Sequence, residues 1–311
     1  MDEHNLLPRL DIPIHEFPET EELPEGVLTL ELKDTYGYGI DFMPNVPYAN
    51  RGGKDLTLQL LIPNKVEEGI RIKCPTILFI QGSAWHKQSL YCSLNKLMRM
   101  AEKGYVIAIV EYRPSEEAIF PAQIEDAKTA YKFMKQNSGK YYVDTDNMIF
   151  WGDSSGAHTA LMCGITCNDY PITDDYKEQE INPICIVDWY GPTAIYEMAC
   201  YPSICEHDAP DCPEGMLIGG LRVSENKELA EKANPIRYLT KDNPTPPILI
   251  MHGGSDAIVH FNQSSRLYSK LKELEKEVTM IKLRHGNHGF HGFNCDEALQ
   301  LVDDFIKTHI K

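Results

Sequence analysis

"FWGDSSGAHTA", residues Phe150 to Ala160, sets two serines side by side between glycines. An apolar run ends at Trp151 and a helix-compatible run begins just after Ser155, so the serines fall on a sharp strand-to-helix turn. A nucleophile carried on such a turn has a strained backbone. Strand and helix then come so close that the residues two before and two after it must be small. Centred on Ser154, those positions are Gly152 and Gly156; centred on Ser155, they are Asp153 and Ala157. An aspartate fits poorly in so crowded a place, and the register selects Ser154. Ser155 then offers its backbone N–H at a helix start, where the helix dipole favours negative charge. The plainer alternative is a glycine-flanked turn with serines as helix caps.

Outward from this turn, the chain from Cys74 onward repeats strand, loop and helix. The runs "TILFI", "YVIAIVEY", "NMIFWG", "ICIVDWYG", "PPILIMHG" and "VTMIKL" are short, continuous and aliphatic, as expected of parallel strands buried on both faces. Between them, "PAQIEDAKTAYKFMK" places Ile124, Ala127, Tyr131 and Met134 on one helical face. "SSRLYSKLKEL" and "DEALQLVDDFIK" repeat the pattern with Leu267, Leu271 and Leu274, and with Leu301, Val302 and Phe305. This alternation predicts an α/β fold, a mostly parallel sheet with helices on both faces. The first seventy or so residues are rich in Pro and Glu, with weak strand patterns at "GVLTLEL", "YGYGIDFM" and "LTLQLLIP". No repeat or linker divides the chain, so residues 1–311 are expected to form one domain. Residues 1–70 would be an N-terminal extension with the first strands, and about 194–233 a cap or rim.

Ligands of such sheets bind beyond the carboxyl ends of the strands. A serine hydroxyl there needs a base, and the base needs an orienting acid. "PPILIMHGGSDAIV" ends in a turn bearing Asp256, and "VTMIKL" runs into "RHGNHGFHGF", which holds His285, His288 and His291. The order Ser, acid, His is the one such folds use. From 256 to 288 there is room for one helix and one strand. Asp256 could equally cap a turn, and the three histidines could bind a metal. The glycine-rich context provides no rigid element to align them, however, and no metal is expected. "LFIQGSAWHKQ" leaves a strand through Gly82, Ser83 and Ala84, whose small side chains let backbone N–H groups approach a developing negative charge.

The 311 residues are 42% hydrophobic and 24% charged, the composition of a soluble globular protein with a large core. A net charge of −16 argues against nucleic acid or an anionic membrane surface as partner, since the phosphates would repel it. The acidic start lacks the basic n-region of a signal peptide, and no run is long and apolar enough to span a bilayer. Nine cysteines, an odd number in a large chain, suit reduced thiols and a cytoplasmic location. Cys200, Cys205 and Cys212, near His207 and Asp208, lack a CxxC pair and read as a thiol-bearing loop rather than a zinc site.

"GDSSGAH", "HGGSDAIV" and "GNHGF" resemble the serine, acid and histidine motifs of α/β-hydrolase esterases. The closest resemblance is to the bacterial carbohydrate-esterase-like branch (acetyl xylan and feruloyl esterases) near the hormone-sensitive-lipase group. "VEYRPSEEAIFPAQIEDAKTA" resembles that branch's tyrosine-arginine and proline-plus-aspartate helix signature, "VDWYGPTAI" and "ELAEKANPIRYL" resemble its later landmarks, and the similarity runs from about Val27 to the C-terminus. The resemblance implies Ser154 as nucleophile, His288 as base and Asp256 as acid. It also implies Ser83, Ala84 and Ser155 as oxyanion donors through their N–H groups. The chain departs from the family with Gln81-Gly82-Ser83-Ala84 in place of His-Gly-Gly-Gly, and with Ser155 in place of the usual Ala. Bulkier residues at 83 and 84 would narrow the acyl side and favour acetyl.

Together these observations predict a serine carboxylic-ester hydrolase that uses no metal or organic cofactor. Its partner would be a small-molecule or oligosaccharide ester, best an O-acetylated carbohydrate of the xylo-oligosaccharide type. Trp85, Trp189 and Tyr190 are candidates for an aromatic wall against a sugar ring, although aromatics after strands are often core. Arg113 and Asp126 read as a structural ion pair, and Asp153 as a loop anchor. The rivals are another acyl hydrolase (a short-chain arylesterase, an arylformamidase or a peptidase) and a catalytically silent binding protein on the same fold. The sequence leaves room for a homo-oligomer.

Overall fold

The aliphatic runs pair into one eight-stranded sheet in a computed structural model that describes residues 8–13, 16–31, 38–171, 175–289 and 292–311. In chain order the strands are β1 (Ile40–Arg51), β2 (Lys54–Pro63), β3 (Cys74–Ile80), β4 (Val106–Val110), β5 (Val143–Asp153), β6 (Cys185–Trp189), β7 (Ile248–Gly253) and β8 (Val278–Leu283). Across the sheet the order is β1-β2-β4-β3-β5-β6-β7-β8. β2 runs antiparallel to both β1 and β4, and the pairings from β4 to β8 are parallel. Parallel neighbours need crossover helices, and those helices cover both faces. Helices α2 (Ala122–Gln136), α3 (Ser155–Thr166) and α4 (Asn262–Glu273) pack one core with Leu78, Ile80, Met148 and Phe150. Helices α1 (Leu94–Glu102) and α5 (Asp296–Lys307) pack the other with Ile77, Phe79, Ile149 and Trp151. Alternate residues of β3 and β5 thus serve opposite cores, as the period of two requires.

The early pattern is realised only in part. "YGYGIDFM" becomes strand from Ile40, whereas Gly26–Glu31 of "GVLTLEL" has no strand pairing. Leu28 and Leu30 stand exposed there, because an alternating segment with no partner strand has nothing to bury its apolar face against. Leu32, Tyr36 and Gly37 of these two patterns lie outside the described residues.

Between β6 and β7 the chain leaves the sheet. Residues 194–233 carry the short helices Pro213–Leu217 and Lys227–Lys232 and form a third apolar cluster, in which Ile195, Leu217, Val223 and Ala233 pack with Trp85. This segment lies over the carboxyl ends of β3 and β5. No helix among the described residues is long and apolar enough to cross a membrane.

Candidate active site

The turn after β5 is as tight as its glycines imply. Ser154 has φ 54° and ψ −129°, a strained conformation for a residue with a side chain, held by its N–H donating to the Trp189 carbonyl at 2.9 Å. A Cβ on Gly152 would lie 2.3 Å from the Gly156 carbonyl carbon, and one on Gly156 would lie 1.9 Å from the Ile80 carbonyl oxygen. Neither position admits any side chain, so the crossing of strand and helix itself dictates the two glycines.

Three strand ends meet at this turn. His288, after β8, faces Ser154 Oγ with Nε2 at 2.8 Å and Asp256 Oδ2 with Nδ1 at 2.8 Å. Asp256, after β7, can only accept, so His288 Nδ1 carries the proton and donates it, leaving the Nε2 lone pair directed at the serine hydroxyl. The other Asp256 oxygen accepts the N–H groups of Ile258 and Val259, both at 2.9 Å. Burial alone would raise the Asp256 pKa, but hydrogen bonds from His252 and His288 outweigh it and hold the carboxyl well below the usual range. Asn287 Oδ1 accepts from both Ala257 and His288 N–H groups and ties the acid loop to the histidine loop. Tyr190 packs edge-on against the His288 ring at 4.7 Å.

The loop after β3 lies beside Ser154. Its Gly82 N–H donates to Asp153 Oδ1 at 2.6 Å, and Asp153 Oδ2 pairs with Lys96 Nζ at 2.7 Å, an ion pair almost closed to solvent. The Ser83 N–H, expected to face the oxyanion, instead donates to Ser155 Oγ at 2.9 Å. Ser83 Oγ in turn contacts Tyr112 Oη at 2.8 Å. The reason is the unusual serine at 155, whose hydroxyl places an acceptor where alanine has none. The N–H groups of Ala84 and Ser155 make no hydrogen bond to another described residue and remain available for an oxyanion.

A cavity of about 390 Å³ opens over Ser154 and His288. Trp85 and Tyr190 line it, though little of either ring is exposed. Trp189 does not. It lies wholly in the core, 4.9 Å from Trp151 and 5.2 Å from Phe293, with Nε1 directed at Met251 Sδ. Alternation along β6 turns its side chain to the face that packs α5, which removes it from the expected aromatic wall. Arg113 and Asp126 form a bidentate pair at 2.8 and 2.9 Å, and neither lines the cavity. Among the described residues no three His, Cys, Asp or Glu side chains converge as metal ligands, and His291 lies outside those residues.

Several participants escape a reading by motif. His252 Nε2 lies 3.2 Å from Asp256 Oδ2 and 2.8 Å from the Val259 carbonyl, bracing the carboxylate and the loop that follows it. It stands four residues before Asp256 in "HGGSD", its only signal in the sequence. Lys96 and Tyr112 act across long sequence separations and leave none, whereas Asn287 stands beside His288 in "GNHGF". His158, on the first turn of α3, accepts from Trp85 Nε1 at 3.2 Å and donates to the Ala233 carbonyl at 2.7 Å, pinning residues 194–233 to the helix that follows Ser154.

Comparison with known proteins places the chain among esterases by overall similarity. Over 248 residues, 79% of this chain and 56% of the relative, it is 25% identical to a Mycobacterium tuberculosis protein named esterase LipQ. A Salmonella enteritidis acetyl esterase is 24% identical over 271 residues, 83% of this chain and 77% of that one. The chain spans about half the length of the first mycobacterial relatives it matches. A solved structure titled as a truncated carbohydrate esterase from gut microbiota superposes with a TM-score of 0.76 at 26% identity, covering 88% of this chain and 97% of that one. The architecture is the α/β-hydrolase fold. The model of the BD-FAE family matches residues 58–271, from β2 through most of α4, and the chain belongs to that family.

Proposed function

We propose that this protein hydrolyses carboxylic esters through an acyl-enzyme on Ser154. The carrying observation is the unbroken hydrogen-bonded chain from Ser154 Oγ through His288 to the buried Asp256 carboxylate. Ser154 attacks the ester carbonyl as His288 Nε2 takes its proton, and Asp256 stabilises the resulting imidazolium. The N–H groups of Ala84 and Ser155, the latter at the start of α3, receive the oxyanion. His288 then returns the proton to the leaving alcohol and activates water for deacylation. Every step is carried by groups of this chain.

The substrate we propose is an O-acetylated carbohydrate. The acetyl esterase among the relatives and the carbohydrate esterase among the solved structures support it, as does a loop filled by Ser83 and Ala84 beside the nucleophile. A cytoplasmic location is supported by nine cysteines that all remain free thiols.

Release of acetate from acetylated xylo-oligosaccharides, followed by mass spectrometry beside a series of 4-nitrophenyl esters, tests both levels. Acetate release and faster turnover of acetate than of long-chain esters are expected. Turnover of other esters with no acetate from the oligosaccharides would end the carbohydrate assignment. Absence of any ester turnover would end the hydrolase assignment.

A further inference from the structure

The cap wall of the cavity holds a polar group that the chemistry at Ser154 does not use. Glu214, on the short helix Pro213–Leu217, lines the cavity with a side chain only 3% exposed. One carboxylate oxygen, Oε1, faces His207 Nδ1 at 3.0 Å. The other, Oε2, is buried and has no hydrogen-bond partner among the described residues. A buried acceptor left unpaired is costly, and native structures rarely keep one without a use.

The surroundings define what would satisfy it. His207 Nδ1 faces the carboxylate, and Nε2 lies 2.9 Å from Ser203 Oγ and 3.1 Å from the Ile258 carbonyl, so the ring is fixed on both sides. Burial opposes a charge on the ring, yet the bond to Glu214 outweighs it and raises the His207 pKa. His207 thus already serves Oε1, and what Oε2 lacks is one further donor. The Cys212 thiol, pushed up to about 12 by burial and further by the Glu214 charge and a hydrogen bond to that carboxylate, keeps its proton but is a weak donor that a hydroxyl would outcompete.

We infer that Glu214 Oε2 is a recognition point for a hydroxyl group on the alcohol part of the ester, so that this wall selects hydroxylated leaving groups. The inference rests on the ester-hydrolase reading and deepens it. An acetyl group has no hydrogen-bond donor, so an acceptor in this cavity can pair only with the alcohol portion. A sugar supplies hydroxyls next to the esterified oxygen; a plain alkyl or aryl alcohol supplies none. His207, itself held by Ser203 Oγ at 2.9 Å and the Ile258 carbonyl, is the positioning residue that fixes the carboxylate.

The test compares mono-O-acetylated methyl xyloside with cyclohexyl acetate, a ring of the same size without hydroxyls, for wild type and Glu214→Gln. Glutamine keeps the shape and an acceptor for His207 but loses the charge that strengthens a bond to a hydroxyl. Wild type should favour the xyloside acetate. In Glu214→Gln the ratio of kcat/KM for the two substrates should fall by roughly tenfold or more, mainly through KM, the range expected for a hydrogen bond to a charged group. An unchanged ratio, including equal loss on both substrates, would overturn the recognition role while leaving the hydrolase reading intact. Wild-type cleavage of cyclohexyl acetate alone would overturn the recognition role and the carbohydrate assignment together. Cleavage of neither would overturn the hydrolase reading on which the inference stands.

Discussion

Ser155 Oγ accepts the Ser83 N–H at 2.9 Å, so the second serine of the pair holds the loop that faces the first. The two hydroxyls therefore have separable tasks. Ser154→Ala should lower kcat by on the order of 10⁴-fold or more with little change in KM. Ser155→Ala keeps the backbone N–H and should retain kcat within a few-fold. It should also lower the unfolding free energy by about 1 kcal/mol, because the Ser83 N–H loses its acceptor. Steady-state kinetics and urea unfolding on both variants check this, and equal kinetic damage from the two changes would contradict it.

His158 makes the tie between nucleophile helix and cap dependent on pH. It accepts from Trp85 and donates to Ala233, which requires the neutral ring, and burial lowers its pKa to about 4. In the unfolded chain a histidine titrates near 6.5. The native state thus resists a proton that the unfolded state takes up, so this contribution is complete above about 6.5 and is lost as pH falls toward 4. Asp188, raised to about 7 by burial, works in the opposite direction over the same range, since its native form holds the proton more tightly than the unfolded one. The informative quantity is therefore a difference. The stability gap between wild type and His158→Gln should shrink by on the order of 2 kcal/mol from pH 7 to pH 5. Urea unfolding at the two pH values would show it, and a constant gap would refute it.

Gly156 has no freedom to change. A Cβ there would sit 1.9 Å from the Ile80 carbonyl oxygen, a backbone atom of a central strand. Gly156→Ala should cost at least about 3 kcal/mol of stability, at or beyond the upper range for overpacking, because neither strand nor helix can yield cheaply. Thermal melting with a shift of only a degree or two would show that the crossing is looser than described.

Lys96 and Asp153 form a pair almost closed to solvent, and Asp153 also receives the Gly82 N–H. Lys96→Met should destabilise by about 3–5 kcal/mol, since it strands a carboxylate beside the active serine. It should also lower kcat, because the loop proposed to receive the oxyanion hangs from that carboxylate through the Gly82 N–H. Adding Asp153→Asn should recover part of the stability but not the activity. A double-mutant cycle checks this, and strictly additive losses would count against the coupling.

How far the sequence was legible depends on how local each signal is. The elbow is written in five consecutive residues, Gly152 to Gly156, because a turn this tight presses both glycines against backbone, Gly152 against Gly156 and Gly156 against Ile80. The strands are legible because burial on both faces leaves continuous aliphatic runs. Asp256 and His288 are legible as strand-end residues in a given order, and the sheet brings them to Ser154. Trp189 misleads because the one-residue difference between cavity and core is a matter of strand parity, which "VDWYG" does not declare. The Ser83 N–H misleads because its acceptor lies 72 positions away, on a side chain read only for its backbone. "GVLTLEL" misleads because alternation specifies a strand only where a neighbouring strand exists to receive it.

The wall that carries Glu214 has a further property that follows from where it is inserted. Residues 194–233 leave the sheet after β6 and return before β7, two strands that are direct neighbours. Such a segment can be lengthened, shortened or exchanged without moving any strand that supports Ser154, Asp256 or His288. Its tie to the nucleophile helix through residue 233 uses a main-chain carbonyl, a group that every amino acid supplies. A change of length there would be felt instead at a loop it leans on, since His207 bonds the carbonyl of Ile258, whose N–H holds Asp256.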